Sequence, residues 1–465
     1  MKIQNILAAA IAVGTMSSAV AQTTEITVTG ATAFRQATLK AIFNAYDSVG
    51  NVGVNFNIAH DFNGNTSNQV SQLIASNKAV FIGPFPGITG TTIIRTSFNG
   101  SVEGLSALAN TGNATTSFLQ TSTATSSDNG TANGNTANDG IRVKVTSPTE
   151  LLRPKFSFSD VFQSTTPVDS IALEPADAKV GVVTFAMVAN ESAPANFTNV
   201  TNQQARQLWA SGVAKLRLFT GNATDTTRVF ATGRNDGSGT RSAYLTEWTY
   251  GVSNGVQQYI TTTAGEAGNG TITAITLVPA GGTGTGNLTT ADGSGNASTL
   301  WGNNVLGNGG YRSSSALRGI MGRTSASVSV YNGVSQTPTL TAQPIILLTW
   351  LSTSDSLNAQ TAGAKILAYN GVSVTPLATA DPNNYLGSGF NQADFNKITQ
   401  GAYSAWSYQQ LYHWGSLTDD EQAWRDAMTA PAGYLEVGLS ETANGVTLSD
   451  MNAERPDDGF PIGGF

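Results

Sequence analysis

Val229-Phe-Ala-Thr-Gly-Arg-Asn-Asp-Gly-Ser-Gly-Thr-Arg-Ser-Ala-Tyr-Leu-Thr-Glu-Trp248 decides how this chain is read. An apolar run of strand character breaks at Gly233. Arg234, Asn235, Asp236, Gly237, Ser238, Gly239 and Thr240 follow, and a helical pattern begins. Small residues at a helix start leave several backbone N–H groups free, and an adjacent Arg adds a planar fork of donors. That combination suits an oxyanion. A glycine turn followed by a Ser or Thr cap would give the same letters, so the junction needs company.

Two similar junctions occur earlier. In Thr24–Val49 a strand over Glu25–Thr29 turns at Gly30–Thr32, and Phe34, Leu39, Ile42 and Phe43 then recur at helical spacing. In Thr91–Asn110 a strand over Thr92–Ser97 turns at Asn99-Gly100. Ser101 reads as the N-cap of a helix carrying Val102, Leu105 and Leu108. Each helix start concentrates free N–H groups at the positive end of a dipole. Three aimed at one point would satisfy a dehydrated tetrahedral anion.

Further along, "RPKFSFSDVFQ" alternates and ends in Asp160, and "KVGVVTFAMVAN" reads as a central strand buried on both faces. "TNQQARQLWASG" is a short amphipathic helix, Ser313–Met321 is helical, and "QPIILLTWLST" is a second buried strand. "GAYSAWSYQQLYHW" reads as a late strand entering a helix. Thr418 and Glu421 form a capping box. The insertion at about 51–90, the polar run 111–139 and the Gly/Thr-rich stretch 265–296 read as additions, the second as a surface loop and the third with a hairpin inside it. The tail Ser440–Phe465 reads as extended. Strands alternating with helices predict an α/β fold with mixed sheets flanked by helices.

The chain has 465 residues, too many for one core, and no cysteine, which excludes disulfides, thiolate chemistry and lipid attachment to an N-terminal Cys. Residues 1–21 read as a secretory signal peptide, with Lys2, the apolar Ile6–Val13 and the Ala19-Val20-Ala21 cleavage site, so the mature chain would begin at Gln22 in the periplasm or outside the cell. A net charge of −7 argues against nucleic acid, which needs a phosphate-neutralising patch. Two histidines, His60 and His413, are too few for a His-rich metal site. His60 in "HDFNGN" reads as part of a solvated turn. "DGSGN" at Asp292 lacks the preceding Arg. No G-x-S-x-G or Walker A motif is present. The expectation is a binding protein, not an enzyme, with no cofactor and no metal.

With these residues in order, "RNDGSGT" resembles the R-x-D-G-S-G-T signature of the periplasmic phosphate-binding proteins of ABC transporters. "VTGATAF", "TSFNGSVEGL", "FSFSDVF", "VGVVTFAMVAN" and "TNVTNQQARQLWASG" resemble that family's other motifs, from Thr24 to about Val372. The resemblance implies a two-lobe binding-protein fold with a ligand cleft between lobes. Lobe 1 would comprise 23–178 plus 345–465, and lobe 2 would be 179–344. It implies that inorganic phosphate is held by Thr32, Ala33 and Phe34, by Ser101, by Asp160 as acceptor, by Arg234 as ion pair, and by Ser238, Gly239 and Thr240. Asp236 would hold the Arg or brace the loop. The family's Thr falls on Ala33, with Thr32 one place earlier. A monomer delivering its ligand to a membrane ABC permease is the implied setting. The alternative is a secreted surface or adhesion protein that keeps the fold with altered or lost anion binding.

Overall fold

The computed structural model describes residues 22–50, 56–62, 69–110, 116–125, 141–142, 145, 147–168, 172–175, 179–261, 270–277, 309–311, 314–332, 337–442 and 445–464. The signal-peptide reading at 1–21, the run at 126–140 and the repeated DGSGN at Asp292 lie outside these residues, as does most of 265–296.

The first strand–glycine–helix unit is β1 (Thr23–Gly30) and α1 (Arg35–Val49). After β2 (Asn57–His60) and α2 (Gln69–Ala75), β3 (Lys78–Phe85) turns back as β4 (Ile88–Ser97), and α3 (Ser101–Ala109) follows. Next come β5 (Thr116–Leu119), the single turn α4 (Ser122–Thr125), β6 (Ile141–Arg142), β7 (Thr149–Leu152) and β8 (Phe156–Ser159). Strand β1 pairs in parallel with β4 and β8, and β3 runs antiparallel between β4 and β2. The apolar positions Ile26, Val28, Leu39, Ile42, Tyr46 and Phe158 fill one core, closed by Trp424 and Leu439.

The second half begins with β9 (Lys179–Ala189), then β10 (Asn199–Val200), α5 (Asn202–Ser211), β11 (Val213–Lys215), α6 (Arg217–Thr220), β12 (Arg228–Ala231) and α7 (Gly239–Glu247). A small sheet of β13 (Tyr259–Thr261), β14 (Ala274–Leu277), β15 (Val328–Asn332) and β16 (Leu340–Gln343) packs beside α8 (Ser314–Met321). Then come β17 (Ile345–Ser352), α9 (Thr353–Thr361), β18 (Lys365–Tyr369), α10 (Gln392–Thr399), β19 (Trp406–His413), α11 (Asp419–Thr429) and α12 (Tyr434–Thr442). The chain closes with the two-residue strands β20 (Ala453–Glu454) and β21 (Gly463–Gly464).

Among the described residues one mixed sheet of thirteen strands runs through both halves. Strand β9 is the bridge. Its first part, Gly181–Thr184, pairs with β19, and its last part, Phe185–Ala189, pairs with β17. Strand β19 continues onto β8 through Gln410–His413. The chain therefore leaves the first half in β9 and returns in β19.

Ile345–Ser352, where the return crossing is expected, pairs as β17 between β12 and β9, and the chain rejoins a strand of the first half only in β19, which pairs with β8. Strand β17 is wholly buried because its alternate residues enter two different cores, one on each face. Ile346, Leu348 and Trp350 join Val229, Tyr244 and Trp248, while Ile345, Leu347 and Leu351 join Phe230, Leu317 and Ile320.

Other expectations are also corrected. Within the insertion at 51–90, β2 and β3 extend the main sheet. In the run expected as a loop, β5 pairs with β7 and buries Phe118 and Leu119. "GAYSAWSYQQLYHW" holds a single strand, Trp406–His413, and the next helix waits until the Thr418 capping box. The tail is packed: Val446 bridges to Val182, and Met451 and Ala453 are buried. His60 is buried at the end of β2, not solvated.

Candidate functional site

The ends of β1, β4, β8 and β12 and the starts of α1, α3 and α7 meet where the two halves touch. Gly100, at φ 148, caps α3. A side chain there would lie 2.5 Å from the Gly237 carbonyl, so only glycine lets the α3 start approach the α7 loop. The Glu103 N–H donates to that same carbonyl at 3.1 Å. Because Gly100 takes the cap, Ser101 is the first helical residue rather than the N-cap expected from sequence. Its hydroxyl is thereby free to leave the helix, and it donates to Asp160 Oδ1. The Asp160 N–H donates back to Ser101 Oγ at 3.2 Å.

Asp160 follows β8 and is 1% exposed. Thr240 Oγ1, from α7, donates to its Oδ2 at 3.2 Å, and Ser407 from β19 donates to its carbonyl at 2.7 Å. Burial pushes the Asp160 carboxyl above its ordinary range, and the Ser101 hydroxyl, the Arg234 charge and the Thr240 hydroxyl only partly oppose this. Gly239 explains how α7 comes so close. A Cβ on it would lie 1.6 Å from Asp160 Oδ1 and 2.4 Å from Ser101 Oγ. Ser238 caps α7, its Oγ accepting from the Arg241 N–H at 3.4 Å.

Arg234 is equally buried. Its backbone bridges to Tyr311, and its Nε donates to the Tyr311 carbonyl at 3.1 Å. Nη1 reaches Ser314 Oγ, at the start of α8, and Thr32 Oγ1 at 3.4 Å. Burial lowers the guanidinium's proton affinity, while Asp160 and then Asp355 raise it. Gln258 knits the loop to the aromatic core: its amide donates to the Arg234 carbonyl, and its Oε1 accepts from Trp209 and Tyr244.

The residues expected at the site thus separate. Thr32, Ser101, Asp160, Arg234, Gly239 and Thr240 form one connected polar cluster, with Ser238 at the cap beside it. Thr32, not Ala33, supplies the α1-side hydroxyl. Ala33 packs in the second core with Val161, and Phe34 packs on Phe158 at 5.4 Å. Burial pushes the Asp236 carboxyl up, and the charge of Arg241 opposes this. Ser314, Tyr311, Gln258 and Ser407 were missed. Each is an ordinary residue brought in by tertiary contact, and only Ser314, at the start of an apolar helical run, had a local signal.

Among the described residues no group of three or more His, Cys, Asp or Glu could hold a metal ion, and no helix is long and apolar enough to cross a membrane. His60 is held neutral by burial, which pushes its pKa down to about 4. Trp406, Tyr408 and Tyr412 are buried, and Trp414 lies under Arg153 at 3.7 Å.

No protein-family model and no curated protein matches this chain. Solved structures of phosphate-binding proteins are similar to it at low levels. An ABC-type phosphate transport receptor from Vibrio cholerae is 11% identical with TM-score 0.37, over 88% of this chain and 94% of that one. PstS from Borrelia burgdorferi is 10% identical with TM-score 0.35, over 90% and 96%. A possible phosphate binding protein from Planctomyces limnophilus is 9% identical with TM-score 0.31, over 84% and 81%.

Proposed function

We propose that this chain binds inorganic phosphate one-to-one at the polar cluster, as the ligand-receiving component of a phosphate ABC transporter. One observation carries the reading. Donors from both halves of the molecule meet on a single buried carboxylate: Ser101 from the first half, Thr240 from the second, with Arg234 beside them. Phosphate near neutral pH bears a proton and can donate to Asp160, while its other oxygens accept from Arg234, the hydroxyls and the first-turn N–H groups of α3 and α7. Sulfate has no proton to donate and would face the carboxylate's charge. A site built around such a bond rejects the analogue lacking it by about 10⁴ or more.

In this reading lobe 1 is 23–178 with the segment from about 405 onward, and lobe 2 is 179 to about 404. The β9 and β19 crossings form the hinge. Parting the lobes would separate Thr240 and Arg234 from Ser101, Asp160 and Thr32 and admit the ion. Isothermal calorimetry of the mature chain is expected to give one phosphate site and far weaker sulfate binding. Absent phosphate binding, or equal affinity for the two ions, overturns the reading. Arg234→Ala is expected to weaken phosphate by about 2–5 kcal/mol, since a buried anion loses its charge-assisted partner. Unchanged affinity would remove Arg234 from the site.

A further inference from the structure

The C-terminal segment, without apolar periodicity, nonetheless makes buried polar contacts with both halves of the chain. Arg455 is 2% exposed and lies on Trp406, guanidinium carbon 4.2 Å from the ring centre. Its Nη1 donates to Glu247 Oε2 at 3.1 Å, and its Nη2 to the Ser404 carbonyl at 2.7 Å. Glu247 is the last residue of α7, and its other oxygen accepts from Ser404 Oγ at 2.7 Å. Three residues later Asp458, also buried, accepts from the Phe162 N–H at 2.7 Å and from Thr165 Oγ1 at 2.8 Å. Asp457 accepts from Ser164 at 2.8 Å. Gly459 lies so close to α7 that a Cβ would sit 2.5 Å from the Thr246 carbonyl.

Two ends of the polar cluster are thereby tied to one short piece of chain. Phe162 is two residues beyond Asp160, and Glu247 ends the helix whose start carries Ser238, Gly239 and Thr240. We infer that residues 453–459 form a strap across the two lobes, with Arg455 gripping α7 and the β19 crossing, and Asp458 gripping the loop that follows Asp160. The strap holds the donors of α7 in register with Asp160 and sets the resting separation of the lobes. Arg455 and Asp458 are positioning residues that act through Glu247 and Phe162. This geometry stands whether or not phosphate is the ligand.

The strap is also a proton-linked device. Burial pushes the Asp458 carboxyl up to about 7; the neighbouring Asp457 charge adds to this, while the Phe162 N–H, the Thr165 hydroxyl and Arg455 oppose it. In a released strap Asp458 meets water and returns to the ordinary carboxylate range, so the strapped state binds the proton more tightly. Raising the pH through about 7 therefore favours release.

The chain has no cysteine, so spin labels are placed cleanly. Asp47→Cys on α1 and Gln207→Cys on α5, both exposed, report the lobe separation by pulsed dipolar spectroscopy. With an intact strap the distance distribution is expected to be narrow. Asp458→Ala, and separately Arg455→Lys, which keeps the charge but loses the fork, are expected to broaden and shift it in phosphate-free buffer. Far-UV circular dichroism checks that each variant is folded. If Asp458→Ala does not fold, Asp458→Asn decides. The parent distribution is expected to broaden between about pH 6 and about pH 8, and that of Asp458→Asn to stay fixed. Unchanged distributions in folded Arg455→Lys and Asp458→Ala, or a parent distribution independent of pH, overturn the strap. Adding inorganic phosphate separates the two proposals. A broadened variant that phosphate narrows again supports both. A broadened variant that phosphate leaves untouched, with no calorimetric binding, upholds the strap and removes the phosphate reading.

Discussion

Asp160 is an acidic side chain among donors, and both its oxygens already accept hydroxyls. Asp160→Asn keeps the shape, replaces one acceptor by a donor and removes the charge facing the ion. On the proposed phosphate reading, sulfate is expected to gain most, because it would lose an unrelieved repulsion; phosphate would lose a charge-assisted bond along with some repulsion. Parallel titrations with both ions at fixed pH read the ratio, and a preserved selectivity would take Asp160 out of the site. Gly239→Ala is the steric counterpart. The added methyl would lie within 2.5 Å of the Ser101 Cβ as well as against Asp160. Core overpacking of this kind costs about 1–3 kcal/mol. Here it drives α7 from Asp160, so phosphate binding is expected to fall with the melting temperature, and an unaltered affinity would show that the close approach is not needed.

At the scale of the element, α7 joins two tasks. Its C-terminal half is set by aromatic packing: Trp248 lies 4.6 Å from Tyr244, 4.7 Å from Trp209 and 5.8 Å from Trp350, ring centre to ring centre. Its start is set by Ser238, whose hydroxyl accepts from Arg241 and still has a proton to donate. Ser238→Ala is expected to cost about 1 kcal/mol of stability as a lost cap and to weaken phosphate as a lost donor. Thr418→Ala is the control. It removes a cap of similar worth from α11, far along the chain, and calorimetry is expected to show phosphate affinity unchanged. Equal effects of both substitutions on binding would mean that Ser238 acts only through helix stability.

For the whole molecule the buried acids set the pH response. Asp160, Asp236, Glu247 and Asp458 are all pushed up by burial, Asp458 to about 7. An acid with a raised folded pKa takes up a proton on folding, so its stabilising share is lost as pH rises through the folded value. His60 acts the other way. Its folded pKa of about 4 means that stability is lost as pH falls below its ordinary 6.5. Asp458 and His60 oppose each other between about 4 and 6.5, and above 6.5 Asp458, with its folded value of about 7, remains. Denaturant melts without phosphate are expected to show stability falling from about pH 6.5 to about pH 8, with a shallower slope in Asp458→Asn. An equal slope in that variant would assign the loss to other groups.

The sequence by itself determined β1, β4, β9 and β17, the turn at Gly30, and the helices α5, α7, α8 and α11. Their signals are local: period-two and period-3.6 apolar spacing, a capping box at Thr418, and glycines where another backbone comes close. It also placed Ser101, Asp160, Arg234 and Thr240 in one order along the chain, and these residues form one cluster. The lobe boundary was not legible. A strand buried on both faces looks the same whether it pairs with strands from both halves of the chain, as β9 does, or only with β9 and β12, as β17 does. Nor could spacing choose between positions 32 and 33, since which of them faces Arg234 is settled by the turn; Thr32 does, and Ala33 packs in the core. The strap was least legible of all. Arg455 and Asp458 stand in a polar tail, and their partners Glu247, Ser404 and Phe162 lie far away in sequence. Only tertiary packing, which buries those charges and leaves each other as partners, gives them a role.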